Sequence, residues 1–449
     1  MFNVARLAAS IGLVFLLAGG ASGQSAPASG GLKPGEVLTP ANAKLASGLL
    51  PPEILRHYET GEYVNTPIVD WPNGIFKFDS EFLAASESNA GKYKIDANGT
   101  VVDAQTGLQP PVIIGFPFPN IDPADPKAGA EVLWNYVYGG WYIFGSIHST
   151  VELNWIKPSG LDRQTSQDVN FLYYDGQPQR YRQPNPQNFS MQFLTTAMTP
   201  TDLNGTTSLT WRYRDPTKRD SNWVYVPALR RVRAVSPANR SDGFLGSDMS
   251  QDDGPFFDGK PEDFNWKLVG ERDQYRYVDP LSLAGKSNII WLPHGGWRAI
   301  WPKDVKTFGY EDPTFTGIGW APIAPALAKR PFWVIEATPK DKYYLYGRIE
   351  LYIDKESYEG AWNRKFSWTG ELLNTLQVMT SLRHKYTRPD GTVEYLIGSN
   401  MGYRVAENVK MNRATTAGTL APLKEPASDT RIPIDPAFFE MSTLSRFGK

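Results

Sequence analysis

The residues of this 449-residue chain best suited to chemistry lie between positions 222 and 258. Just upstream and within this stretch, Arg212, Arg214, Lys218, Arg219, Arg230, Arg231, Arg233 and Arg240 stand against only Asp215 and Asp220. The following segment reverses the sign, with Asp242, Asp248, Asp252, Asp253, Asp258, Glu262 and Asp263 against Lys260. Adjacent blocks of opposite charge can pair with each other or hold a lid shut. The fork geometry of guanidinium and carboxylate makes Arg230, Arg231 and Arg233 the expected partners of the aspartates. The same arginines could instead dock an acidic partner or a lipid phosphate. On a strand Arg231 and Arg233 share one face and Arg230 takes the other, so all three cannot serve one ligand equally. Asp248, Asp252, Asp253 and Asp258 could crowd around calcium, but their spacing departs from the calcium-loop template and no glutamate closes it.

Other chemistry is sparse. His57, His148, His294 and His384 show no i, i+4 pair and no zinc-protease spacing. Gly246-Ser247 is not flanked as a nucleophile elbow, and phosphate-loop and dinucleotide fingerprints are missing. No catalytic residue, metal or cofactor is expected. A formal net charge of -1 gives no reason to expect nucleic acid as a partner.

The elements that must position the charged stretch are mostly strands. Tryptophan, tyrosine and phenylalanine make up 13% of the chain, and such residues favour strands and line apolar cavities. Residues 1–23 read as a secretory signal: Arg6 supplies the positive start, 11–18 the apolar core, and Ala21-Ser22-Gly23 the cleavage site. There are no cysteines, which removes disulfides, thiol catalysis and a lipidated cysteine together. A periplasmic protein held by its core alone is the expected class.

Residues 24–140 read as a leader, short helices at 41–50, 53–60 and 127–137, and an irregular layer packed on the body. Residues 141–413 read as antiparallel strands at 141–156, 169–174, 189–197, 207–214, 223–232, 264–277, 289–301, 332–338, 343–354, 361–369, 376–386 and 393–397. Asp175-Gly176, Asn204-Gly205 and Asp390-Gly391 supply turns. Gly139-Gly140-Trp141 and Gly295-Gly296-Trp297 read as strand corners. Alternation places Ile349, Leu351 and Ile353 on an apolar face and Arg348, Glu350 and Tyr352 on the other. Residues 414–449, rich in proline, read as an extended tail over the body. An apolar sheet face of this size must be covered, and helices near the N-terminus could cover it and leave a cavity for a hydrophobic ligand.

Two segments resemble a known bacterial family, domain of unknown function 1329, which is similar to outer-membrane lipoprotein-sorting proteins. The first runs Trp223-Val-Tyr225-Val-Pro227-Ala-Leu-Arg230-Arg231-Val-Arg233, then Ser241-Asp242-Gly243, then Gly246-Ser247-Asp248-Met-Ser250-Gln-Asp252-Asp253. Gln251 stands where related proteins more often carry an aromatic. The second is the strand 346–356. The resemblance implies a half-open β-barrel with covering helices, like the periplasmic lipoprotein carriers, closed over an apolar cavity. It also implies work alongside an inner-membrane efflux-type transporter and an outer-membrane protein.

The expected protein is thus mainly β, a large curved antiparallel sheet that binds a lipid or other hydrophobic molecule. Trp223, Tyr225, Arg230, Arg231, Arg233, Leu245, Asp248, Asp252 and Asp253 are its candidate ligand-binding or gating residues, and a lid that includes the 241–258 loop opens for loading and release. Two alternatives stand beside it: a carbohydrate-binding or carbohydrate-cleaving protein with two carboxylates facing across an aromatic cleft, and an adaptor that docks a membrane complex through its charged loop.

Overall fold

Among the described residues, thirteen strands of the main sheet pair antiparallel along one continuous path, and three short strands pair off it. In chain order the thirteen are β1 (Ser146–Lys157), β2 (Gly160–Tyr173), β3 (Phe189–Ala197), β4 (Thr207–Tyr213), β5 (Ser221–Val226), β6 (Arg231–Val235), β7 (Phe264–Val278), β8 (Ala326–Pro339), β9 (Arg348–Asp354), β10 (Gly360–Phe366), β11 (Leu372–Val378), β12 (Arg404–Asn408) and β13 (Arg413–Ala417). The computed structural model describes residues 30–285, 288–300, 305–388, 390–397, 403–417 and 427–446. The expected signal at 1–23 lies outside them. Among the described residues no helix is long and apolar enough to cross a membrane.

Across the sheet the order is β6-β5-β4-β3-β2-β1-β13-β12-β11-β10-β9-β8-β7. Two meanders therefore meet at a seam, where Leu153, Asn154, Trp155 and Ile156 of β1 pair with Ala417, Thr416, Thr415 and Ala414 of β13. Residues 236–263 connect one outermost strand, β6, to the other, β7. No pairing joins β6 to β7 among the described residues, so the segment links the two margins of the sheet by covalent chain rather than by strand pairing. It is a large antiparallel sheet not closed into a barrel.

Both faces are covered, each by a different part of the N-terminal region. Inward-pointing Ile349, Leu351, Ile353, Leu376, Val378 and Ala406 meet Phe78, Phe82, Phe116, Leu133 and Trp141, together with Met249 and Phe256 of the 236–263 segment. Those N-terminal residues come from helix α2 (Ser80–Ser88), helix α3 (Ala128–Tyr136) and the chain around them. On the outer face Tyr277, Val334, Trp362, Tyr403 and Val405 meet Leu38, Ile54, Tyr58 and Tyr63. Helix α1 (Pro52–Glu59), which begins with Pro52 where a missing N–H costs nothing, sits there. Arg364 on β10 holds Glu53 at 2.7 Å and Glu350 at 2.9 Å, so the polar side of the alternation anchors this helix.

Several boundaries differ from expectation for local reasons. The run 223–232 is a hairpin, not one strand: Pro227 starts a 3-10 turn and Arg230 takes a left-handed conformation with φ 48°. Gly139-Gly140-Trp141 lies in a π-helical turn continuing α3, not at a strand corner; a Cβ on Gly139 would stand 2.2 Å from the Phe116 ring. Only Ala43–Ala46 of the 41–50 stretch is helical, as a 3-10 turn. The stretch 376–386 divides between β11 and a separate hairpin, Arg383–Thr387 with Val393–Ile397. The tail expected from residue 414 instead begins inside a strand, Arg413–Ala417, at the centre of the sheet.

Candidate functional site

The 236–263 segment crosses the inner face and is bolted to it through its charges. Near its start Arg240 donates to Asp252 at 2.6 Å and to Asp258 at 2.9 Å, drawing the two ends of the segment together. Arg212 of β4 reaches Asp258 at 3.0 Å and Asp220 at 2.9 Å, so a ring of buried charge ties the segment to the first meander. Burial works against the Asp220 carboxylate, but Arg212 and Arg240 hold it below the usual carboxylate range. The remaining aspartates face the second meander. Asp248 takes Arg413 at 2.9 Å, Asn408 at 3.2 Å and the Thr415 hydroxyl, and Asp253 takes Lys365. Burial pushes the Asp248 carboxyl up in spite of those donors. The Tyr344 hydroxyl donates to Asp252 at 2.7 Å.

The backbone of the segment is shaped for this docking. The N–H of Ser250 donates to the Asp253 carboxylate at 2.7 Å and opens a short 3-10 turn. The ring of Phe256 occupies the place where a Cβ on Gly360 of β10 would stand, 2.0 Å away. Asn363, beside it, donates to the Phe256 carbonyl at 2.9 Å.

Between the segment and the inner face of β1–β5 lies a cavity of about 180 Å³. The strand register builds its floor. Ile147, Phe171, Phe193, Thr210 and Asn222 form one row across five strands, and Ser149, Val169, Thr195, Ser208 and Val224 form the next. Phe171 and Phe193 stack at 4.2 Å, and Trp141 meets Phe171 edge-on at 5.3 Å. Phe244, Met249, Gln251 and Gly254 supply the roof. Phe171, Phe193, Val224 and Phe244 are only half-buried, so apolar surface stays open to the cavity. Arg404 also lines it; burial pulls this guanidinium down to about 10, against Tyr136 and Asp253.

The sequence-predicted residues divide into three groups. Asp248, Asp252 and Asp253 latch the roof, but their cations are Arg413, Arg240 and Lys365, not Arg230, Arg231 and Arg233. Arg230, Arg231 and Arg233 are exposed on the hairpin and edge strand and form no ion pair among the described residues, which corrects the expected pairing. Asp252 and Asp258 share Arg240, whereas Asp248 takes Arg413 and Asp253 takes Lys365, so each of the four carboxylates already faces a cation of the chain. Leu245, left-handed at φ 51°, packs against the inner core and offers its carbonyl to Arg163. Trp223 borders the cavity, yet its ring packs on Trp211 in an outer cluster with Tyr225, Phe439 and Leu444. The two aromatics of the motif thus hold the C-terminal segment to the outer face. Sequence reasoning missed Val169, Phe171 and Phe193, whose alternate spacing within β2 and β3 was the available signal.

An open antiparallel sheet with an apolar cavity under a charge-latched crossover is the class that fold and site define. Residues 37–425 match the family described as protein of unknown function (DUF1329), and the chain belongs to that family. An uncharacterized protein of Pseudomonas aeruginosa is 22% identical over 253 residues, 54% of this chain and 50% of that protein. The chain thus spans about half the length of the curated relative it matches. Among solved structures, a domain from Vibrio parahaemolyticus described as an outer membrane lipoprotein-sorting protein is 16% identical with a TM-score of 0.45, covering 72% of this chain and 100% of that one. A DUF1329 family protein from Desulfovibrio piger is 17% identical with a TM-score of 0.43, covering 72% and 99%. A LolA superfamily protein from Nitrosomonas europaea is 12% identical with a TM-score of 0.38, covering 70% and 98%.

Proposed function

We propose that this protein is a periplasmic carrier or chaperone that shields a hydrophobic molecule in the cavity beneath the 236–263 segment. The observation that carries the reading is the half-buried apolar lining of that cavity, Phe171, Phe193, Val224 and Phe244, inside an otherwise well-packed inner core. Binding there is driven by removing apolar surface from water, at about 25 cal/mol per Å². A cavity of about 180 Å³ suits one aromatic ring or a short length of alkyl chain, comparable with the roughly 150 Å³ apolar cavities that take benzene. A larger lipid requires the roof to shift. In this reading the carrier exchanges its load with an inner-membrane efflux-type transporter and an outer-membrane protein.

The cavity gives no support to glycoside cleavage. Its one carboxylate among the described lining residues, Asp258, is already bonded to Arg212 and Arg240, whereas that chemistry needs two acids across a cleft.

Native mass spectrometry of the mature protein, followed by organic extraction, tests the carrier reading. The expected result is a co-purifying hydrophobic molecule that Ser208→Trp, which fills the cavity floor, displaces without unfolding the chain. A clean apo mass that stays unchanged when lipids are offered would sink the proposal.

A further inference from the structure

Among the described residues, the polar atoms of the cavity wall without hydrogen-bond partners include the indole N–H of Trp141, the amide nitrogen of Gln167 and the side-chain carbonyl of Asn222. All three residues are buried, and Gln167 is only 5% exposed. An all-hydrocarbon occupant leaves such groups unsatisfied, whereas an oxygen-bearing one can engage the two donors. A second observation lies at the rim. Val224 and Asn222 of β5 line the cavity, and their direct partners on β6 are Arg233 and Val235. Paired residues of antiparallel strands point to the same face, so Arg233 stands on the cavity side of the edge strand, with Arg231 two positions along on the same face. Both are exposed and neither forms an ion pair among the described residues. Asp248, Asp252 and Asp253 of the acidic block are bonded elsewhere, to Arg413, Arg240 and Lys365.

We propose that the cavity takes an anionic amphiphile, its apolar chain along Val169, Phe171 and Phe193 and its carboxylate or phosphate head at Arg231 and Arg233. The inference rests on the carrier reading and specifies its ligand class. An apolar floor alone selects no charge; two uncompensated guanidinium groups at its open edge do, because they offer charge-assisted hydrogen bonds to an anion and repel a cationic head.

Calorimetric titration of the mature protein with octanoate, octyl phosphate, octan-1-ol and octyltrimethylammonium tests it. One or both anions should bind more tightly than the alcohol, and the alcohol more tightly than the cation. The stronger of the two anions identifies the head. In the double variant Arg231→Gln/Arg233→Gln the anion's affinity should fall about tenfold, the size of one charge-assisted contact, while octan-1-ol binding is unchanged. Equal binding of all four compounds, or an unchanged anion affinity in the double variant, overturns the anionic head and leaves the carrier reading intact. Binding of none of them overturns both.

Discussion

Arg240 is the residue on which the docking of the roof turns. It meets Asp252 and Asp258 within its own segment and lies 3.5 Å from Asp220 before β5. Arg240→Ala leaves those buried carboxylates short of a cation, and removing one partner of a buried pair costs about 3–5 kcal/mol; urea unfolding should show that loss. Asp220, held below its ordinary range, contributes stability above the unfolded value near 3.8 that is lost as pH falls through its folded value. His57 runs the other way. It is bonded to Glu62 at 2.7 Å and Glu407 at 2.9 Å; burial opposes its charge, but the two carboxylates prevail and raise its pKa above 6.5. Its contribution is complete below about pH 6.5 and disappears as pH rises through the folded value. Thermal unfolding should therefore show a loss of stability as pH rises above about 6.5 that His57→Gln removes. A sequence shows that opposite charges are present but not which are near. Proximity along the chain favoured Arg230, Arg231 and Arg233, while the real partner of Asp248 is Arg413, brought in by the sheet.

At the scale of elements, the alternation in β9 was legible because both of its faces follow the two-residue period: Ile349, Leu351 and Ile353 inward, Arg348, Glu350 and Tyr352 outward. The hairpin at Pro227–Leu229 was not, since the left-handed residue of its turn is an arginine rather than a glycine. Nor was β13, a short Arg-Ala-Thr-Thr-Ala strand without a large apolar residue to mark a buried face, whose place is fixed by pairing with β1. The roof itself is an element whose fit depends on one missing side chain. Gly360→Val puts branched carbon where the Phe256 ring sits, and overpacking of this kind costs about 1–3 kcal/mol. The expected consequence is a loosened roof, read as faster hydrogen exchange across 244–258 with little change in helix α1 on the opposite face.

For the whole molecule, the roof is tethered at both ends to opposite margins of the sheet, so it cannot swing free like a one-hinged flap. Loading requires either a shift of the segment between its anchors or a spreading of β6 from β7. A reducible bifunctional cross-linker joining cysteines placed at Arg219 and Asp341, whose side chains meet at 3.1 Å between the two meanders, separates the two: if spreading admits the ligand, cross-linking blocks octan-1-ol uptake and reduction restores it; if the segment shifts, uptake is indifferent to the cross-link.

The seam between β1 and β13 has a consequence for the birth of the chain. Leu153 finds Ala417 more than half the sequence away, and contacts of such separation form slowly because the intervening loop must close first. During synthesis the first meander can assemble while one side of β1 still presents a bare row of N–H and C=O groups, the kind of edge that recruits other chains. A fragment ending at residue 400 should therefore pellet as aggregate on expression, whereas the full chain stays dispersed. The late-arriving strand at the centre acts as a keystone, and vulnerability to aggregation ends only when it drops into place.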